Sequence, residues 1–443
     1  MVPPLASLRI VIVGAGMGGL TTALALAHRG FTQIEVYESA RDLGFVGAGI
    51  QVAPNVSHIL QVLGAWKYMA DDAVEIDEVS IRDGVTDEEL ANSGLGHIQK
   101  LYRQPHRVAH RRALAGALYA ACKDAAPRIT FHFNTTVLHV DFELPRIQIQ
   151  AKGESERHWI SADVVVGADG VKSIVRKTML ARHGEEDCAE DTGQAAYRIM
   201  LHRDQLAQDP ELLPLLESKR TLRWIGARRQ IIAYPISGNT ILNMATTQPD
   251  VNFAAAPTMA WTTRADKSAM LSVYDDFCPR VKRLLRLVPA GEVCEWKLRV
   301  HRQLRAWVES RVALVGDACH PALPHLGQGA AQAIEDGAVL AFVLSKLTRA
   351  EDLNTGLLVY ERLRKHRAEF LVEESAASGR ALLLMNGDAQ VKRDEAFQRV
   401  KEGGPNPDKW IDRKVTDYLY GFDCLADAET RYEECFAQVK LAT

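Results

Sequence analysis

The chain has 443 residues, 47% of them hydrophobic and 25% charged, with a formal net charge of -3. That length can bury a large core in two lobes, and the near-neutral balance gives no electrostatic basis for binding nucleic acid or an acidic membrane surface. Seven scattered cysteines without a C-x-x-C pair argue against a zinc ribbon or a disulfide framework. No cleavable leader and no apolar run of about 20 residues is visible, so a cytoplasmic protein with free thiols and without a stable membrane span is expected.

In chain order, Leu8 to Val13 is a β-branched run that predicts a strand buried on both faces. Gly14-x-Gly16-x-x-Gly19 follows, then an Ala/Leu-rich helix to about Arg29 with Gly30 as its cap, and a second strand from Ile34 to Tyr37. In such a βαβ unit Gly14 permits the tight turn, Gly16 lets the backbone approach a pyrophosphate, and Gly19 lets helix and strand pack closely. Glu38, 38 − 19 = 19 positions beyond the last glycine, sits where a carboxylate accepts from ribose hydroxyls. The motif by itself does not separate FAD from NAD.

Gly47-Ala-Gly49-Ile50-Gln51-x-x-Pro54-Asn55 suggests a loop passing close to a ligand, and His110-Arg111-Arg112-Ala-Leu114 opens a helix from which Arg111 could reach phosphate oxygens. A further apolar strand ends at Asp169-Gly170, before a turn and a helix that carries Ser173 and Arg176. From about Asp191 to Thr247 the texture becomes short alternating segments (194–201, 221–225, 230–236, 240–246) broken by turns such as Ser237-Gly238-Asn239. These predict an antiparallel sheet in a second lobe. The arginines at 223, 228 and 229, and the 299–305 cluster, read as solvated strand edges.

Residues 311–347 return to strand, turn and helix. Asp317 stands at the strand end, followed by two prolines, His320, His325 and the Gly327-Gln328-Gly329 turn that opens the helix. A carboxylate for hydroxyl groups next to a helix N-terminus for developing negative charge suits a reduced flavin. His320 reads as a satisfied structural histidine; for His325 a structural and a catalytic role stay equally open. The remainder to Thr443 has charged helical periodicity and is expected to pack across the outside. The expected units are residues 1–185 and 296–350 for the nucleotide lobe, 186–295 for the sheet lobe, and 351–443 for the C-terminal helical region. No metal site is expected.

Together these elements resemble the single-component FAD-dependent aromatic hydroxylases (class A flavoprotein monooxygenases), most closely salicylate hydroxylases and their fungal relatives. Tyr418 to Asp423, YLYGFD, is similar to that family's ending as well. The resemblance implies an α/β fold: a Rossmann-like FAD-binding lobe with an inserted antiparallel-sheet substrate lobe and C-terminal helices. It implies that NAD(P)H reduces FAD, that O2 then gives a flavin C4a-hydroperoxide, and that one oxygen atom passes to an electron-rich carbon.

By position it assigns Gly14, Gly16, Gly19, Glu38, Gly49, Arg111, Asp169, Arg176, Asp317, Gly327, Gln328 and Gly329 to cofactor binding, and places Pro324 and His325 beside the reacting centre. One departure stands out. Relatives often carry His-x-x-x-Tyr on a strand of the substrate sheet, where this chain reads Gln230-x-x-x-Tyr234. Gln230 can hydrogen-bond but cannot take a proton as a general base. Either His325 takes that role or the substrate needs no base.

The expected activity is hydroxylation of a small aromatic such as salicylate or a related hydroxybenzoate by a monomer or homodimer. Two alternatives stay open: a secondary-metabolite tailoring monooxygenase acting on an indole, polyketide or terpenoid, and a non-catalytic dinucleotide-binding redox sensor.

Overall fold

The computed structural model describes residues 4–43, 48–187, 189–251, 262–264, 266–400 and 403–442. Gly47 of the expected loop and Cys188 lie outside the described residues.

A six-stranded sheet forms the first lobe, in the order Val308–Glu309, Val312–Leu314, Val164–Gly167, Arg9–Val13, Gln33–Tyr37, Ile129–His132. All pairings are parallel except the short first one. Its central strands are buried on both faces, so they need apolar runs without alternation. Ile10, Val11 and Ile12, and likewise Val164, Val165 and Val166, are fully buried. The helix Met17–His28 leaves the first strand through the glycine turn. Gly14 has φ +99°, and a Cβ there would lie 2.5 Å from the Ala168 carbonyl oxygen; one at Gly19 would lie 2.0 Å from the Gly14 carbonyl oxygen. These two glycines therefore close strand, turn and helix onto one another.

The second lobe is built on an eight-stranded sheet ordered Thr262–Arg264, Cys294–His301, Ala189–His202, Ile241–Pro249, Arg229–Ile236, Arg220–Gly226, Glu78–Asp83, Glu89–Gly94. All four strands expected between 194 and 246 are present. Two features differ from the expectation. Residues 78–94, placed by chain order with the first lobe, pair into this sheet, and Arg220–Gly226 runs parallel to Glu78–Asp83. A hairpin far upstream in sequence gives no local signal of the edge it will join. The strand Cys294–His301 likewise carries this sheet past residue 295.

The C-terminal helices also do more than wrap the surface. Leu353–Leu382 buries Arg364, Arg367, Ser378 and Gly379 against the helix Gly329–Lys346 and the loop before it. No helix among the described residues is long and apolar enough to cross a membrane.

Candidate active site

Between the two lobes runs a trench made of two adjoining cavities, about 340 Å³ and about 560 Å³, which share Gly16, Arg111, Arg198, Asp317 and Ala322. Glu38 lies at the outer end, and Gln230, Tyr234 and Pro324 line the inner end. Gly49, Gly327 and Gly329 also face the inner cavity.

Each is positioned by its element. Glu38 follows the second parallel strand, and its carboxylate accepts from the backbone N–H of Ala15 (2.9 Å) and Ala40 (2.8 Å), which joins the glycine turn to the strand end. Arg111 is the first residue of the helix Arg111–Asp124, whose N-cap His110 accepts from the Arg112 N–H. Asp317 sits on the turn that Gly316 makes at φ +62° after the strand Val312–Leu314. Gly327, at φ +64°, turns the chain into the helix Gly329–Lys346, whose first amides open on the trench beside Gly329 and Ala330. Those amides and the aligned helix dipole favour negative charge there.

Gly49 lets the strand Gly49–Val52 pass against the sheet. Its N–H donates to Asn243 Oδ1 at 2.6 Å, and a Cβ on it would lie 2.6 Å from the Tyr234 ring. Tyr234 is buried, which pushes its phenol up and keeps it a hydrogen-bond donor.

Other expected residues act from behind the walls. Asp169 accepts from the Ser173 hydroxyl (2.5 Å) and from the N–H groups of Ile174 (2.7 Å) and Val175, closing the turn into the next helix; burial pushes its carboxyl up. Arg176 is buried, pairs with Asp187 at 2.9 Å, and donates to the carbonyls of Asp317 (3.3 Å) and Ala318 (3.1 Å). It therefore supports the backbone that carries Asp317 and does not line the trench. Gln328 is the buried N-cap residue, accepting from Asn55.

His325 departs most from its expected place beside the substrate. Its ring does not border the cavity. It lies behind Gln230, with Nδ1 3.3 Å from Gln230 Nε2 and its other edge packed on Gly379. Burial, aided by the Arg223 charge, lowers its pKa to about 4, so it is a neutral and weak base.

His320 is the structural histidine expected. Its Nε2 is 2.6 Å from Asp336, whose carboxylate also accepts from the Gly316 N–H (2.9 Å) and from Arg364 (2.9 Å). Glu335, one residue earlier, takes Arg364 (2.6 Å), Arg367 (2.8 Å) and Asn55 (2.8 Å). Arg367 goes on to the carbonyls of Tyr418 (2.7 Å) and Leu419 (3.0 Å), and this docks the YLYGFD segment. The charged side chains of this network are all buried, and together they fix the Gly316 turn to the helix that faces the trench.

Several of the arginines read as solvated edges need correction, although Arg228 is exposed as expected. Arg223 is 1% exposed, ion-paired with Asp408 and stacked over Trp410. Arg229 pairs with Asp276, Arg299 with Asp191, and His301 with Asp187; of the 299–305 cluster, Arg302 and Arg305 are solvated as expected.

Arg198 was missed in the sequence. It lies on the strand Ala189–His202, lines both cavities, stacks 4.9 Å over Trp296, and has no carboxylate partner among the described residues. Burial and the neighbouring Arg111 charge hold its guanidinium below the ordinary value. The signal available was one basic residue inside the otherwise apolar Ala195–Leu201 alternation.

A family profile described as FAD binding domain matches residues 7–212 and 238–375. The FAD-dependent monooxygenase ntnJ of Nectria sp is 31% identical over 400 residues, covering 90% of this chain and 91% of that protein. The chain belongs to the FAD-dependent monooxygenases of the aromatic hydroxylase family. The 3-hydroxybenzoate 6-hydroxylase 1 of Aquipseudomonas alcaligenes is 31% identical over 93% of this monooxygenase and 97% of its own length. A salicylate hydroxylase substrate complex shares the fold at TM-score 0.76 and 22% identity, over 96% and 98% of the two chains.

This monooxygenase is thus an oxidoreductase with FAD as cofactor and NAD(P)H as reductant, and the non-catalytic sensor reading falls away. The trench fits that cofactor. A Cβ on Gly16 would meet only the Ala168 carbonyl oxygen, at 4.0 Å, so the space it would enter is the trench itself. FAD, when bound, supplies the reduced ring on which O2 is activated.

Proposed function

We propose that this monooxygenase hydroxylates a small aromatic acid, such as salicylate or another hydroxybenzoate, held by Arg198. The observation that carries this reading is an arginine without a carboxylate partner among the described residues at the inner cavity. A half-buried guanidinium without an ion-pair partner is poorly solvated, and a substrate carboxylate or phenolate would satisfy it with a charge-assisted, bidentate contact. Tyr234 offers a protonated hydroxyl to the same anion. Glu38, Gly16, Arg111 and Asp317 hold FAD along the trench, Glu38 at the ribose end and Asp317 at the ribityl chain, with the 327–329 amides facing the ring and Pro324 beside the reacting edge. Six described free cysteines accord with a cytoplasmic setting.

A second reading, tailoring of a larger indole or polyketide, has one specific observation in its favour. Gln230 cannot deprotonate a phenol, and His325 does not reach the cavity.

The test is NAD(P)H oxidation by the FAD-loaded protein over salicylate, 3-hydroxybenzoate, neutral phenols and indoles, with product mass under 18O2. Coupled oxidation by an aromatic acid, with one labelled oxygen gained, is expected; loss of CO2 as well would mark decarboxylative hydroxylation. Coupling only with neutral indoles or polyketides would move the assignment to the second reading.

A further inference from the structure

The face of the second sheet that borders the inner cavity is open along one line. The register pairs Ile232 with Ala245 and Ala245 with Arg198, so these side chains stand in a row across three strands. All three border the cavity and are only partly buried. The rows on either side are closed: Gln230 and Thr247 on one flank, and Tyr234 and Asn243 on the other, are buried. Neighbouring strands lie about 4.8 Å apart, so the open row measures roughly 10 Å from the Cα of Ile232 to that of Arg198. Ala245, in its middle, is the smallest side chain that the sheet gives to the cavity, and the Ala322-Leu323-Pro324 loop of the other lobe borders the same space.

The row also has a charge polarity. Beyond Ile232 the register continues to Arg223 on the strand Arg220–Gly226. That guanidinium is buried, ion-paired with Asp408 and stacked over Trp410. Of the row's two arginines only Arg198 borders the cavity, so an anion is drawn to that end while the Ile232 end stays apolar. We infer that Ala245 and Ile232 are specificity-determining residues that set substrate size: a monoanionic acid lies across the strands, with its carboxylate on Arg198, its aromatic ring over Ala245 and its far edge stopped by Ile232. The inference rests on the proposed aromatic-acid reading and adds the pose and a length limit. The row seats one ring. A second ring fused opposite the carboxylate runs into Ile232 and the closed Arg223–Asp408 pair beyond it.

The test uses the FAD-loaded protein and two acids that differ only by such a fused ring, salicylate and 3-hydroxy-2-naphthoate. Dissociation constants are read from perturbation of the flavin absorption spectrum. The native protein is expected to bind salicylate roughly tenfold or more tightly, the scale set by a few carbons too many in an apolar slot. Ile232→Ala lengthens the row, so the ratio should fall toward one, and Ile232→Val should move it the same way by less. Ala245→Leu fills the floor under the ring and should weaken both acids by roughly tenfold or more, with FAD affinity unchanged. The smaller Ala245→Val makes the same comparison if the leucine variant does not load FAD.

Preference for salicylate over methyl salicylate reports Arg198, and it should survive in both Ile232 variants. A role for Ile232 in folding alone would weaken both acids together and leave their ratio intact. Equal or tighter binding of the naphthoate by the native protein, an unchanged ratio in the Ile232 variants, or native-like salicylate binding by the Ala245 variants would overturn the inference while the acid-over-ester preference stands. Loss of that preference in the native protein would instead overturn the aromatic-acid reading.

Discussion

The two walls of the trench are built on opposite rules. On the flavin side, the buried charged groups around the Gly316 turn are satisfied by protein: Asp336 by His320, Arg364 and the Gly316 amide, Glu335 by Arg364, Arg367 and Asn55. On the substrate side, Arg198 has no carboxylate among the described residues, and Gln230 Oε1 and Asn243 Nδ2 are buried without partners. That ion-pair network holds one geometry behind the turn, in front of which Glu38, Arg111 and Asp317 line the trench. An unsaturated wall carries a free-energy cost that a substrate can relieve. The charged groups behind the cofactor wall are thus paired with one another, although Gln51 Oε1, Asn55 Oδ1 and Gln328 Nε2 there lack partners, while the substrate wall presents a guanidinium without an ion pair among the described residues.

The largest effect should come from breaking the saturated side. Glu335→Ala leaves Arg364 and Arg367 buried without their shared carboxylate, and should cost about 3–5 kcal/mol of stability, read as a fall in the denaturant midpoint. Retention of native stability would mean that the network is not what fixes the turn.

Next, Arg198→Met should weaken an aromatic acid by about 1.5–3 kcal/mol, a tenfold to hundredfold rise in its dissociation constant, with FAD affinity nearly unchanged. Equal loss of FAD would place Arg198 on the flavin side instead.

Gly49→Ala should act in between the two walls. Its Cβ would press on Tyr234 and Asn243, so KM should rise several-fold while the protein stays flavin-loaded. An unchanged KM would show that Tyr234 yields freely.

The smallest effect is in pH dependence. His325 has its folded pKa lowered to about 4, below the ordinary histidine value of 6.5. Between those values the unfolded chain binds a proton that the native state does not. Its contribution to stability is therefore complete above about pH 6.5 and lost as pH falls toward 4. Melting temperature measured from pH 7 to pH 4.5 should decline less steeply in His325→Phe than in the native protein; parallel declines would mean that the ring is not buried neutral.

Much of the cofactor side was legible in the sequence because its determinants are local. Gly14, Gly16, Gly19 and Glu38 act within one βαβ unit, and Asp317 and Gly327 within one strand-turn-helix passage. The strands of the second sheet were legible from alternation. What was hidden depends on distant pairing. Residues 78–94 join a sheet edge more than a hundred residues downstream. Arg364 and Arg367 read as surface charges of an outer helix until Glu335 and Asp336 are seen opposite them. Arg223 looked solvated because Asp408 is 185 positions away. His325 was expected to face the substrate because spacing cannot tell which side of a glycine-flanked turn a ring takes, and Gly379 supplies the space behind it.

The comparison of the two walls is tested most directly by one ratio: the affinity for 3-hydroxybenzoate over its methyl ester, measured on the FAD-loaded native protein and on Arg198→Met. An open wall completed by an anionic substrate predicts a strong preference for the acid in the native protein and a ratio near one in the variant. The same ratio in both proteins would contradict it.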